Sequence, residues 1–183
     1  FPKDWKLPNV YLLHGSLSTE EMNKLYNHPK VKCFISLTHG EGFGRPLLEA
    51  SFSGKPIIAP ISTGQADFLD KNYTIELPHI LTKVPTGAFP KDFHNAEAQW
   101  STVNYGMAGK IMRQVFENYS KFELKGKKQM IVNRQLFTHE KMSEKLISIV
   151  DNMLESVPQP VKLKIPSLTK EPTKLKLPTL KKG

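Results

Sequence analysis

Between Val31 and Pro60 the chain runs through an apolar stretch, a glycine-rich turn, a helix-like segment opened by proline, and a second apolar stretch. Val31 to Thr38 is rich in β-branched and aromatic residues and is bounded by turn signals, which predicts a buried strand. Gly40 to Gly44 forms the turn. Pro46 suits a first helical position, where its missing N–H would have no partner anyway. Leu47, Leu48, Ala50 and Phe52 continue the helix, and Gly54 stops it. Pro56 to Pro60 is the next strand. A strand, a short helix and a strand joined by short loops require a parallel pair, because an antiparallel pair needs no crossover. The predicted class is therefore α/β: a parallel sheet flanked by helices.

The flanking sequence extends the pattern. Val10 to Leu13 reads as a short apolar strand, and His14-Gly15-Ser16-Leu17-Ser18 as a turn. Ser18 with Glu21 three residues later is a capping box opening a helix. Met22, Leu25 and Tyr26 supply its apolar face, and Pro29 ends it. Tyr73 to Leu77 is a further strand. Pro78 to Asn95, with three prolines and a glycine, reads as a long irregular loop, an active-site rim or an insertion. Helical pattern returns over Gln99 to Tyr119, with Val103, Met107, Ile111, Val115 and Phe116 on one face. A last helix covers about Ser143 to Leu154, with Leu146, Ile147, Val150 and Leu154 together.

Charge divides the chain in two. The formal net charge is +9, but the residues from Gln159 onward hold seven lysines against one glutamate, so +6 of it lies there. The same stretch repeats itself: Lys162 to Leu168 matches Lys174 to Leu180. Residues 1–157 are read as the folded α/β part, and 158–183 as a disordered Lys/Pro-rich tail. The tail offers weak contact to an acidic surface, and the charge distribution indicates no specific nucleic-acid partner. The single cysteine, Cys33, lies in an apolar run and reads as a small core residue. No apolar run approaches the roughly 20 residues of a membrane span. With no signal-peptide pattern, the expected location is cytoplasmic. The chain opens at Phe1 without an initiator methionine, which reads as a fragment or a processed product.

The turn carries the chemistry. A strand that ends in glycines before a helix start leaves backbone N–H groups facing one crevice, where the helix dipole favours a phosphate. Arg45 is placed to add a charge-assisted contact. Glu49, in the first turn or so of the helix, suits a ribose diol. Glu41, on the loop, suits a sugar hydroxyl or positive charge developing at an anomeric carbon. The eight-residue spacing of Glu41 and Glu49 means little alone, since 12 glutamates in 183 residues give roughly 0.8 such pairs by chance. The coincidence with the strand, the glycines and the proline gives it meaning. Competing motifs are not met. Gly40, Gly42 and Gly44 are spaced by two, unlike G-x-G-x-x-G, and Gly54-Lys55 lacks the residues of a Walker A loop. His139-Glu140 lacks a second histidine at 143, and no Cys/His cluster suggests zinc.

The segment Glu41 to Pro60, EGFGRPLLEASFSGKPIIAP, resembles the donor motif of group 1 (family 4) glycosyltransferases of the two-domain GT-B architecture. The approach from Val10 to Tyr26, the strand run from Val31 to Thr38, and the helices downstream fit the same resemblance, which spans about Val10 to Leu154. It implies that residues 1–157 are part of a Rossmann-like C-terminal domain that binds a nucleotide sugar, in an enzyme that transfers a sugar from a nucleotide-diphosphate donor with retention and with no metal or other cofactor. It implies Glu41 as the catalytic glutamate. Gly42, Phe43, Gly44, Arg45, Leu48 and Glu49 are implied on the donor, with Glu49 on the ribose and His14 and Gly15 near the base. The acceptor, a glycan, lipid or protein, would be set by an N-terminal domain upstream of Phe1. That domain would also carry the Arg and Lys that neutralise the diphosphate, so the fragment alone is expected to be inactive. Ser62-Thr63-Gly64-Gln65-Ala66-Asp67 departs from the Gly-Gly…Glu pattern of many relatives. Trp100 and Tyr105 read as packing residues and His39 as a loop residue. The alternative function is a sugar-nucleotide or glycan-binding module without catalysis, and a third is a basic-tail adaptor built on an α/β scaffold.

Overall fold

Three short parallel strands form the centre of the chain, in the order β1 (Phe34–Ile35), β2 (Ile57–Ala59), β3 (Ile75–Glu76). The computed structural model describes residues 8–90, 95 and 97–157. The helices are α1 (Thr19–Asn27), α2 (Arg45–Ser51), α3 (Tyr105–Glu117), α4 (Tyr119–Leu136) and α5 (His139–Ser156), with a 3-10 turn at Thr63–Asp67. An antiparallel hairpin, β4 (His79–Lys83) with β5 (Gln99–Val103), follows β3.

Both faces of the parallel sheet are covered, which is why its strands read as unbroken apolar runs. Phe34, Ile57 and Ala59 point to one side, into a cluster with Tyr26 of α1 and Leu47 and Ala50 of α2. Cys33, Ile35, Ile58 and Ile75 point to the other, toward Val103 of β5 and Ala108 and Val115 of α3. This is the expected Rossmann-like α/β arrangement. The α1 capping box forms in both directions: Ser18 Oγ accepts from the Glu21 amide at 3.2 Å, and Glu21 Oε2 accepts from the Ser18 amide at 2.7 Å. Those bonds from Ser18 hold the Glu21 carboxyl below its ordinary range.

Several expectations need correction. Val10 to Leu13 is not a strand; Val10, Tyr11 and Leu12 are 86–88% exposed and pair with nothing among the described residues. Apolar β-branched character is only half of a strand, and the other half is a neighbouring backbone to bond. The stretch from Pro78 is not irregular from its start, because the hairpin strand β4 occupies 79–83. Its prolines, Pro78 and Pro85, stand outside the ladder, where a missing N–H does no harm. Residues 99–103 are the partner strand rather than the start of a helix. The helix begins after Asn104, whose side chain caps it by accepting from the Met107 amide at 3.0 Å. Its buried face is Ala108, Ile111 and Val115, while Phe116 is 86% exposed. Pro46 is the second helical residue of α2, not the first.

Helix α4 has no counterpart in the sequence reading. Its buried residues are Gly126, Gln129 and Asn133, so it has no apolar stripe to betray it. A seam of side-chain hydrogen bonds holds it instead. Gln129 Nε2 donates to the Phe68 carbonyl at 2.7 Å and to Asn133 Oδ1 at 3.0 Å, and Gln129 Oε1 accepts from the Asp70 amide and the Thr74 hydroxyl. Asn133 Nδ2 donates to Ser51 Oγ at 2.7 Å, at the end of α2.

The chain divides into two units, residues 1–143 and 144–183. The helical part of the second is most of α5, and Leu146, Ile147, Val150 and Leu154 are exposed on it. The tail at 158–183 lies outside the described residues. Among them, no helix is long and apolar enough to cross a membrane.

Candidate functional site

The β1 chain leaves the sheet at Ser36, whose amide donates to the Ile58 carbonyl at 2.9 Å, and runs through Thr38 and His39 into the glycine turn. Gly44 adopts φ +88° as the N-cap of α2, a left-handed conformation that a side chain would strain. The Leu47 and Leu48 amides already bond to the Gly44 carbonyl. The amides of Gly42, Phe43 and Gly44 bond to nothing among the described residues, and Gly42 faces open space. An acceptor-rich ligand such as a phosphate or a sugar fits that row.

Glu41 sits at the head of the row with its backbone held at both ends. Its amide donates to Thr63 Oγ1 at 3.0 Å, and its carbonyl accepts from the Gly64 amide at 3.0 Å. Its half-buried carboxylate has no hydrogen bond or ion pair to any described residue. Thr63 Oγ1 in turn donates to Gln65 Oε1, and the fully buried Gln65 donates to the Pro60 carbonyl at 3.1 Å. The Ser62–Asp67 segment, where sequence reasoning saw only a departure from a pattern, is thus the support of the glutamate. Its one sequence signal is Gly64, placed where a Cβ would overlap the Gly42 backbone.

Glu49 opens the second turn of α2 rather than lying in the first. Its Oε1 accepts from Arg45 Nε at 2.6 Å. The pair is i, i+4 and Arg45 is 78% exposed, so solvent screens it and it yields readily to a ligand. The neighbouring carboxylate raises the Arg45 pKa further above its ordinary value. Arg45 and Glu49 form one wall of a cleft of about 340 Å³ between α1 and α2. Leu17, Met22, Tyr26 and Phe52 supply its apolar lining, with Thr19 and Asn23 beside them. The volume falls in the range of small-molecule sites. His14 and Gly15 are exposed and do not line it; Leu17 and Thr19 from the same segment do. Leu48 is half-buried and packs on the core beneath, and Phe43 lies against Phe68, ring centroids 5.3 Å apart.

His39 is more than a loop residue. Its Nδ1 lies 2.6 Å from the Ser101 carbonyl, its own carbonyl accepts from the Ser101 amide at 2.9 Å, and its ring stacks on Trp100 at 3.9 Å and 4°. These contacts fasten β5 to the chain two residues before Glu41. Tyr105, by contrast, is 60% exposed and not a packing residue. Loss of the stack and of the buried ring area makes Trp100→Ala about 2 kcal/mol less stable than the parent in urea denaturation, with Trp100→Phe recovering part of the loss. Cys33 is half-buried against the second cluster, and burial pushes its thiol pKa up, which is the wrong direction for a nucleophile.

The turn, the two glutamates and the cleft coincide with a match to the family described as Glycosyl transferases group 1, over residues 3–123. The chain belongs to that family. As a group 1 glycosyltransferase it takes a nucleotide-sugar donor and moves the glycosyl group to an acceptor. The match ends inside α4, so α5 lies beyond it. A search of curated proteins returns no match to this glycosyltransferase chain.

Proposed function

We propose that the cleft and the glycine turn together bind a nucleotide-diphosphate sugar, with Glu41 at the reacting centre. The observation that carries this is Glu41 itself: both of its backbone groups are fixed by Thr63 and Gly64, while its carboxylate is left unpaired beside three open amides. Such an arrangement is preorganised for charge that develops in a ligand. The open amides of Gly42, Phe43 and Gly44 take the sugar and diphosphate, with Arg45 adding charge. Glu49 exchanges its weak pairing with Arg45 for the two hydroxyls of a ribose, and the base lies among Leu17, Met22 and Tyr26. In this reading transfer retains anomeric configuration and uses no metal. In the same reading the acceptor is a glycan, lipid or protein, and the enzyme acts in the cytoplasm.

The test is a pair of substitutions in the full natural protein. Glu41→Ala is expected to lower sugar transfer by about 10²–10³-fold with nucleoside diphosphate binding retained. Glu49→Gln is expected to weaken that binding by about tenfold or more, as a charged hydrogen-bond acceptor is lost. Transfer that survives both changes would remove the assignment. A parent protein that binds the nucleotide but never transfers would be a binding module instead.

A further inference from the structure

Thr63 has φ +56°, the one residue other than glycine with positive φ among the described residues. A β-branched side chain is among the least suited to that region, where glycine or asparagine would be at ease. Yet the exposed position gives the side chain little to pack against, so burial does not explain its choice. What it supplies is one oxygen in one place. Thr63 Oγ1 accepts from the Glu41 amide at 3.0 Å and donates to Gln65 Oε1 at 3.0 Å, which orients the hydroxyl with its lone pair toward Glu41. Gln65 is fully buried and is anchored on the Pro60 carbonyl at the end of β2. The strained residue therefore stands between the sheet and the glutamate, and the next amide, Gly64, takes the Glu41 carbonyl.

We propose that Thr63 is a positioning residue for the transfer reaction: its hydroxyl, held in a strained backbone conformation, relays the rigidity of β2 to Glu41 and sets where that carboxylate lies. The inference rests on the reading that Glu41 acts at the reacting centre. Strain kept at a site that a relaxed residue would fill equally well for folding is the pattern of a functional requirement.

Three variants of the full natural protein separate the hydroxyl from the strain. Thr63→Val keeps the shape and the strain but loses the hydroxyl; Thr63→Gly loses both; Thr63→Ser keeps the hydroxyl. Turnover is followed as nucleoside diphosphate release from UDP-glucose and GDP-mannose, alongside UDP and GDP binding, melting temperature and hydrogen exchange of the Glu41 amide. Thr63→Val and Thr63→Gly are expected to lose about 10- to 100-fold in turnover, with nucleoside diphosphate affinity unchanged and faster exchange at Glu41. Thr63→Gly should do so with a melting temperature equal to or above the parent's, and Thr63→Ser should restore both turnover and exchange. A merely structural role would instead make turnover follow melting temperature. If Thr63→Val and Thr63→Gly keep parental turnover and Glu41 exchange while Glu41→Gln loses turnover, the positioning role is wrong and the Glu41 assignment stands. If Glu41→Gln keeps turnover, the assignment falls and takes the positioning role with it.

Discussion

Gly64→Ala is expected to dismantle the turn that carries Glu41. A Cβ at position 64 would lie 2.1 Å from the Gly42 carbonyl oxygen, 2.5 Å from its carbon and 2.7 Å from the Phe43 Cα. All three are backbone atoms, so no side chain can swing aside to make room. The two loops must separate by about 1 Å, which breaks the 3.0 Å bond from the Gly64 amide to the Glu41 carbonyl and draws Thr63 away from the Glu41 amide. The expected loss is about 3–5 kcal/mol of stability, the range reserved for backbone overlap and broken networks. With Glu41 at the reacting centre, as proposed, a displacement of that size also lowers transfer by about 10²-fold or more. Denaturant titration and a transfer assay check the two effects separately. Parental stability and turnover in Gly64→Ala would show that the loops do not approach as closely as described.

The second large effect lies in the seam under α4. Gln129→Leu preserves volume but strips hydrogen bonds from the Asp70 amide, the Thr74 hydroxyl, the Phe68 carbonyl and Asn133 in a site that is 1% exposed. Each buried group left without a partner costs about 1–3 kcal/mol. Partial relaxation leaves an expected total of about 3–5 kcal/mol in urea denaturation. Asn133→Leu orphans fewer groups and is expected to cost less. The double variant should fall short of the sum, because the bond between Gln129 and Asn133 is lost only once. A change below about 1 kcal/mol for Gln129→Leu would mean that water enters and satisfies the seam.

These two regions also mark where the sequence stops being legible. The parallel sheet and the glycine turn could be read because their signals are local: β-branched runs, glycines at 40, 42 and 44, a proline at 46. The support of Glu41 could not, because Thr63 and Gly64 lie about twenty residues away and act through single bonds rather than through periodicity. Helix α4 was hidden by its own interior. Hydrophobic spacing finds helices that bury leucine or valine, and this one buries glycine, glutamine and asparagine. The hairpin was obscured by Pro78 and Pro85, strand breakers that here act as strand boundaries. The opposite error occurred at Val10 to Leu13, where strand-forming residues have no partner to bond among those described. In the cleft, Glu49 was found by motif, whereas Leu17 and Phe52 come to it only through the packing of α1 against α2.

The seam has a consequence for how such a chain diverges. An apolar interface accepts drift, since one aliphatic side chain replaces another with a small adjustment of packing. The interface of Ser51, Gln129 and Asn133 does not, because a donor must always face an acceptor. Its members are bound to change as a set or not at all. Helix α2, which carries Glu49 and ends at Ser51, is thereby tied to a partner on α4 that tolerates few single changes. A single change on α4 is therefore felt at the end of the helix that presents Glu49.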